Sequence, residues 1–214
     1  MAGIKAKQAF FSPGNQHAAK AALNLPDGPI LLFIGRLQSL KGVDVAIATL
    51  QAMKHEHVTL VVVGGASGIE GSSYETEIHN MADELQPNKK VLFVPPQPHH
   101  ILSSYYRAAN FVLVPSRSES FGLVALEAAA CGVPAIASAV GGLENLVEHG
   151  KTGILIKGWN PTDFSQTIDH LLSNPIKSTE IAMNAVEKAK NYTWGKTAEK
   201  LLEIYQTVLS KSLV

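Results

Sequence analysis

Residues 111–138 read FVLVPSRSESFGLVALEAAACGVPAIAS, with two short apolar runs on either side of a segment that has helical spacing. The runs, Phe111–Val114 and Pro134–Ala137, are continuous rather than alternating, which is typical of parallel strands buried on both faces. The segment between them, Phe121–Cys131, supplies the helix that a parallel crossover requires. This stretch therefore predicts a strand–helix–strand unit of an α/β fold.

The same alternation continues on both sides of this unit. Four more apolar runs have the length of strands: Ile30–Ile34, Val58–Val63, Val91–Val94 and Gly153–Ile156. Helical spacing is found in Val43–Met53, Tyr74–Leu85, His100–Ala109 and Leu143–Glu148, and then in Thr162–Leu172, Ser178–Lys190 and Trp194–Leu209. The pattern predicts a doubly wound parallel sheet of about six strands, a Rossmann-like domain, with C-terminal helices. We divide the chain into a lead-in segment (1–29), this domain (30–192) and a C-terminal helix (193–214).

The composition excludes several classes of function. The net charge is zero because 18 Lys and Arg balance 18 Asp and Glu, so no basic field is available for nucleic acid or an anionic membrane. Cys131 is the only cysteine, which excludes an internal disulfide, fits a reducing compartment and predicts a buried thiol. No apolar run suits a signal peptide or a membrane span, so we expect a cytoplasmic protein. Charged residues make up 17%, against roughly 25% on average, which predicts a surface for a partner.

The loop after the first strand carries two cations between two glycines. Gly35, Arg36 and Lys41 lie between a strand end and the start of a helix near Val43. Free amides, the helix dipole and the side-chain charges together suit a diphosphate. A glycine turn with two solvated bases explains this loop equally well. The loop is not a GxxxxGK[ST] phosphate-binding loop.

The loop after the fourth strand leads into an unusually apolar helix. Ser120 is the predicted N-cap, which would leave the amides of residues 122–124 pointing toward a phosphate. Glu119 beside it could bind a ligand or only complement the helix dipole. Glu127 is the only charged residue between Phe121 and Ala137. A carboxylate in such a helix is costly unless it is hydrogen-bonded, and a pair of sugar hydroxyls would serve.

Other patterns are weak or negative. The glycine turns at residues 64–65 and 141–142 either approach a ligand closely or simply reverse the chain. The eight histidines show neither HxxxH nor HExxH spacing, and the serines around residue 118 lack a GxSxG elbow. A zinc site and a serine hydrolase are therefore disfavoured.

The loop Gly35–Arg36 with Lys41, and Glu119 followed by Glu127 after seven intervening residues, resemble the donor-site signature of the retaining glycosyltransferases of family 4. Enzymes of this family have the two-domain GT-B architecture. The resemblance implies that this chain supplies only the C-terminal, nucleotide-sugar-binding domain of such an enzyme.

The resemblance runs over nearly the whole chain, from about Ser12 to Leu209. Within the family, residues 95–99, 106–109 and 140–143 are most similar to the D-inositol 3-phosphate glycosyltransferases and to sucrose-phosphate synthase-like members.

The resemblance also implies a mechanism. Arg36 and Lys41 would neutralise the diphosphate of a UDP-sugar, and Glu119 would bind a hydroxyl of the transferred sugar. Transfer would proceed with retention, by attack on the face that the diphosphate leaves, without a covalent enzyme intermediate. Charge stabilisation and positioning would then be the main contributions of the protein.

Further donor contacts follow from the same resemblance. Glu127 would bind the ribose hydroxyls, Gln97 would lie beside the nucleobase, and the backbone of residues 121–123 would assist at the sugar. The implied donor-binding set is Gly35, Arg36, Lys41, Gln97, Glu119, Phe121, Gly122, Leu123 and Glu127.

The sequence requires no cofactor, since the nucleotide sugar is a substrate. The resemblance implies that a magnesium ion could lie near Tyr106, Arg107 and Ala109, held mostly by main-chain atoms.

The acceptor-binding domain of the family is not represented in the chain, so we expect it to be missing or supplied by a partner chain. The helix Trp194–Leu209 resembles the segment that crosses back to that domain. Three functions follow as alternatives. In the first, the chain is half of an enzyme that transfers a hexose or N-acetylhexosamine to a hydroxyl acceptor, and an inositol phosphate is one candidate acceptor. In the second, it is a nucleotide-sugar-binding module without transfer activity. In the third, it is related to UDP-sugar epimerases of the same architecture, which the context of Glu119 and Glu127 disfavours.

Overall fold

In a computed structural model that describes residues 11–66 and 71–211, the chain folds around a six-stranded sheet in the order β3-β2-β1-β4-β5-β6. Every neighbouring pair of strands in it is parallel. The strands β1 to β6 are Ile30–Ile34, Thr59–Val63, Lys90–Val94, Phe111–Val114, Ala135–Ser138 and Gly153–Ile156. The predicted doubly wound α/β fold is therefore confirmed.

Helices cover both faces of the sheet. The helices α1 to α9 are Gln16–Ala22, Val43–Ala52, Gly71–Asp83, His99–Ala108, Leu123–Ala130, Gly142–Leu146, Pro161–Leu172, Pro175–Ala189 and Trp194–Lys211. One core lies between the sheet and α2, α3 and α7, and the other lies between the sheet and α4, α5 and α6. Cys131 is buried in the second core, as predicted, and burial raises the pKa of its thiol to about 12. None of the described helices combines the length and the apolarity needed to cross a membrane.

The strand order reverses between β1 and β4. β1 pairs with β2 on one side and with β4 on the other, through Leu31 and Phe111 among others. The chain therefore leaves β1 and β4 toward opposite sides, and a crevice opens beyond their carboxyl ends, where ligands bind in sheets of this kind. The two loops that carry the predicted site residues meet at this crevice.

Several predicted helix limits were wrong, and the reason is local. Ser120 is not an N-cap: α5 begins at Leu123, and Gly122 caps it in a left-handed conformation with φ of 90°. At α8, Asn174 caps the amide of Lys177, so the helix starts at Pro175 instead of Ser178. Proline is well tolerated in the first turn of a helix, where its missing N–H costs nothing.

The division of the chain at residues 29 and 192 stays a prediction, and its residues 1–10 and 212–214 lie outside the described part. The described part of the lead-in is folded. Helix α1 is tied to α4, because the side-chain amide of Gln16 donates to the Ala109 carbonyl over 2.8 Å. The buried Lys20 ammonium donates to the carbonyls of Asp27 and Gly28.

Gly42 lies where the loop after β1 crosses the loop after β4. Its φ is 74°, and a Cβ atom added there would overlap the Pro115 carbonyl oxygen. Both the backbone conformation and the close approach therefore require glycine.

We expect Gly42→Ala to lower the free energy of unfolding by about 3 kcal/mol, the sum of left-handed strain and overlap with Pro115. Gly158→Ala is the matched control, because Gly158 has φ of 78° and nothing within 4 Å of an added Cβ. It should lose only about 1 kcal/mol to backbone strain. Urea unfolding of both variants measures the difference, and equal losses would show that the contact with Pro115 is unimportant.

Candidate functional site

Lys41 and Glu119 form an ion pair across the crevice between β1 and β4. Lys41 ends a short 3-10 turn, Ser39–Lys41, and its Nζ lies 2.7 Å from Oε2 of Glu119. The two side chains are 27% and 17% exposed, so the pair is partly shielded from water. Burial alone would raise the pKa of Glu119, but the hydrogen bond and charge of Lys41 outweigh it and lower that pKa. Two predicted site residues from distant parts of the sequence therefore meet directly.

The second carboxylate oxygen of Glu119 turns toward the start of α5. Its Oε1 accepts a hydrogen bond of 3.3 Å from the Gly122 amide, one of the amides that the sequence predicted to be unpaired. The amide of Gly142 in turn donates to the main-chain carbonyl of Glu119 over 2.9 Å. Glu119 is thus held by the loops after β1, β4 and β5.

Arg117 joins the 3-10 turn that contains Lys41 to the loop after β4. The sequence analysis did not predict this role for Arg117. Its guanidinium donates to both carboxylate oxygens of Asp44, over 3.1 and 2.6 Å, and to the carbonyl of Ser39. Its main-chain amide donates to the Leu40 carbonyl over 2.9 Å. The Tyr74 hydroxyl completes the network with a 2.8 Å bond to Asp44.

Burial would raise the pKa of Asp44, but the hydrogen bonds from Arg117 and Tyr74 lower it overall. In the sequence, Asp44 is only an acidic residue in the first turn of a helix, where the helix dipole already explains a carboxylate. The sequence around Asp44 therefore does not predict its ion pair with Arg117.

Glu127 has an internal partner. The hydroxyl of Tyr106, which is fully buried, donates to Oε2 of Glu127 over 2.8 Å. Burial and the charge of Glu127 raise the pKa of Tyr106 well above its ordinary value, so the phenol stays protonated and remains a donor. Nδ1 of His99 lies 3.9 Å from the other carboxylate oxygen. The burial of Glu127 in an apolar helix therefore does not by itself require a ligand.

The remaining predicted donor residues are less closely joined to this centre. Arg36 is exposed and has no ion-pair partner in the part of the chain that the structure describes. The side-chain amide of Gln97 folds back onto its own loop and donates to the Pro95 carbonyl over 3.0 Å. The main chain of Gly35 packs so tightly against Gly64 that a Cβ on Gly64 would overlap its carbonyl oxygen.

Large exposed apolar side chains lie close in sequence to Lys41 and Glu119. Phe121 is 48% exposed and Leu123 is 61% exposed at the start of α5, and Leu40 is 54% exposed on the facing turn. The predicted contribution of residues 121–123 to sugar binding, through their backbone, stays a prediction.

The magnesium position near Tyr106, Arg107 and Ala109 stays a prediction. The carbonyl of Ala109 accepts from Gln16, and the carbonyl of Tyr106 accepts from the Ala109 amide over 3.0 Å. The guanidinium of Arg107 donates to the Ser12 carbonyl over 2.9 Å. Within residues 11–66 and 71–211, no three His, Cys, Asp or Glu side chains are grouped to hold a metal ion.

Comparison with a family model and comparison with curated proteins both identify glycosyltransferases. Residues 15–192 match the family model described as glycosyl transferases group 1. The chain is 41% identical over 211 residues to a D-inositol 3-phosphate glycosyltransferase of Frankia alni, in an alignment that covers 95% of this chain and 52% of the relative. The chain thus spans about half the length of the curated relatives it matches.

Two solved structures share the fold. Sucrose-phosphate synthase from Thermosynechococcus elongatus superposes with a TM-score of 0.82 and 32% identity, covering 95% of this chain and 51% of that one. HepE from Anabaena, solved in complex with UDP and glucose, superposes with a TM-score of 0.83 and 25% identity, covering 95% and 55%.

Tyr106→Phe should lower the free energy of unfolding by about 1–3 kcal/mol, because Glu127 loses its donor while remaining largely buried. Tyr105→Phe is the matched control: Tyr105 is also buried, and its hydroxyl has no hydrogen-bond partner among the described residues. Chemical denaturation of the two variants provides the measurement. A Tyr106→Phe protein as stable as Tyr105→Phe would show that Glu127 does not depend on this bond.

Arg117→Gln should lower the free energy of unfolding by about 1–2 kcal/mol, because it removes a bidentate pair that joins two loops. Lys190→Gln breaks the exposed pair of Lys190 with Glu187 and should change stability by less than about 0.5 kcal/mol. Thermal unfolding followed by circular dichroism distinguishes the two. Equal stability of both variants would contradict a clamping role for Arg117.

Proposed function

We propose that this chain, which belongs to the glycosyl transferases group 1 family, is the donor-binding part of a glycosyltransferase. It would bind a nucleoside diphosphate sugar and present the sugar for transfer to a hydroxyl acceptor with retention of configuration. The observation that carries this proposal is the meeting of Lys41 and Glu119 at the carboxyl ends of β1 and β4.

The charges at this edge suit the leaving diphosphate. Transfer breaks the bond between the anomeric carbon and a diphosphate oxygen, and it forms a bond from that carbon to the acceptor oxygen. The acceptor proton would pass to the departing diphosphate, which gains negative charge as the bond breaks. Lys41 and Arg36 are the cations that would stabilise this charge, and Glu119 would accept a hydrogen bond from the sugar. Glu127, held by Tyr106, would bind the ribose.

UDP is the nucleotide that we propose first. The structure of HepE contains UDP and glucose, and its likeness covers nearly all of this chain. The D-inositol 3-phosphate glycosyltransferases make an inositol phosphate the first acceptor to examine.

We further propose that an acceptor-binding part, in this or another polypeptide, completes the enzyme, as the greater length of the relatives suggests. Helix α9 would face it. Residues 195–210 of α9 are exposed, and they include large apolar side chains: Leu201, Leu202, Ile204, Tyr205, Val208 and Leu209.

Calorimetric titration of the 214-residue chain with UDP and with UDP-glucose tests donor binding. We expect saturable binding that Lys41→Ala weakens about 10- to 100-fold, through the loss of a charge-assisted bond to the diphosphate.

The matched control is Lys151→Ala, since Lys151 also forms an ion pair, with Glu148, but lies before β6 at the opposite edge of the sheet. Absence of binding to both nucleotides at millimolar concentration would overturn the proposed function. An equal loss with Lys151→Ala would remove Lys41 from the site.

A further inference from the structure

The candidate site contains an internal ion pair between its best-placed cation and a carboxylate. One oxygen of Glu119 contacts the Lys41 ammonium over 2.7 Å, and the other accepts from the Gly122 amide over 3.3 Å. Phe121 also contributes a backbone hydrogen bond to this carboxylate. The cation and the amide used by Glu119 are among the groups that the proposed function assigns to the donor.

The other cations at this edge cannot replace Lys41 without cost. Arg117 is committed to Asp44 through two hydrogen bonds and to the Ser39 carbonyl. Arg36 has no ion-pair partner among the described residues, but it is exposed, so its attraction for a phosphate is weakened by water. A diphosphate that uses Lys41 must therefore compete with a carboxylate held at hydrogen-bond distance.

We infer that Glu119 is an internal competitor of the donor diphosphate, and that it makes the site discriminate between a nucleoside diphosphate sugar and the free nucleoside diphosphate. This inference rests on the proposed function. When the diphosphate takes Lys41, the displaced carboxylate carries a charge in a partly buried place and requires a new hydrogen-bond donor. A sugar hydroxyl supplies that donor, whereas the free nucleoside diphosphate does not.

The consequence is an exchange of partners. With the sugar nucleotide, Lys41 moves from carboxylate to diphosphate while Glu119 moves from ammonium to hydroxyl, so both charges remain satisfied. With the nucleoside diphosphate that is left after transfer, no sugar hydroxyl replaces the ammonium that Glu119 has lost. The carboxylate then competes for the ammonium, which favours release of the product.

Glu119→Gln tests the exchange directly. The amide side chain keeps the length of Glu119 and an oxygen that can accept from the Gly122 amide, but it removes the negative charge. Lys41 is then available, and the affinity for UDP should rise about 2- to 5-fold, the range expected for releasing a partly exposed ion pair. The affinity for UDP-glucose should rise less or fall, so the preference for the sugar nucleotide over UDP shrinks.

Glu148→Gln is the matched control for the change in net charge. Glu148 also pairs with lysines, Lys188 and Lys151, each over 3.0 Å, and it lies at the opposite edge of the sheet. It should leave the affinities for UDP and for UDP-glucose unchanged. The double variant Lys41→Ala/Glu119→Gln tests whether the gain in UDP affinity depends on Lys41. The gain should be absent when Lys41 is absent.

The experiment titrates UDP and UDP-glucose calorimetrically into five proteins: the unsubstituted chain, E119Q, E148Q, K41A and the double variant. Melting temperatures recorded in parallel show whether each variant is folded. Tighter UDP binding by E119Q alone, lost in the double variant, supports the exchange. Unchanged or weaker UDP binding by a folded E119Q overturns it, as does a gain that persists without Lys41 or that E148Q reproduces. If no protein binds either nucleotide, E119Q included, the proposed function fails and the inference with it; if nucleotides bind but E119Q shows no gain, only the inference fails.

Discussion

The parallel pairing of β1 with β4 is the constraint that positions every group at the centre of the site. Because Leu31 lies opposite Phe111, the two strands end side by side, and the loops that follow them are adjacent. Lys41 and Glu119 therefore meet in these loops, although 78 positions separate them. The glycine at position 42 allows the backbone to cross closely enough for this contact, since a side chain there would overlap Pro115.

The acidic side chains of the site are all satisfied from within the protein. Asp44 is bound by Arg117, Glu119 by Lys41 and Glu127 by the Tyr106 hydroxyl. We expect ligand recognition at such a site to proceed by exchange of hydrogen-bond partners more than by attraction of a ligand to unpaired charge. The difference in binding free energy between two ligands then depends on whether each ligand offers a new hydrogen-bond partner to the protein group that it displaces.

The sheet and its order of elements were predictable because burial leaves a periodic signature. Runs such as Phe111–Val114 are apolar without alternation, as both faces of the sheet are covered. The start of α5 was harder to predict, because Ser118, Ser120 and Gly122 are all residue types that cap helices. Gly122 caps the helix instead of Ser120, in a left-handed conformation that glycine adopts without strain.

The sequence by itself determined the α/β class and the order of its strands and helices, and it predicted which strand-end loops carry the candidate site, since strand periodicity and strand-end loops are local properties. Only the tertiary structure decided how these residues are paired. The joining of Glu119 to Lys41 and of Arg117 to Asp44, like the hydrogen bond from Tyr106 to Glu127, depends on distances between segments that are remote in the chain. Such distances are set by sheet register and helix packing, and no spacing within a single motif encodes them.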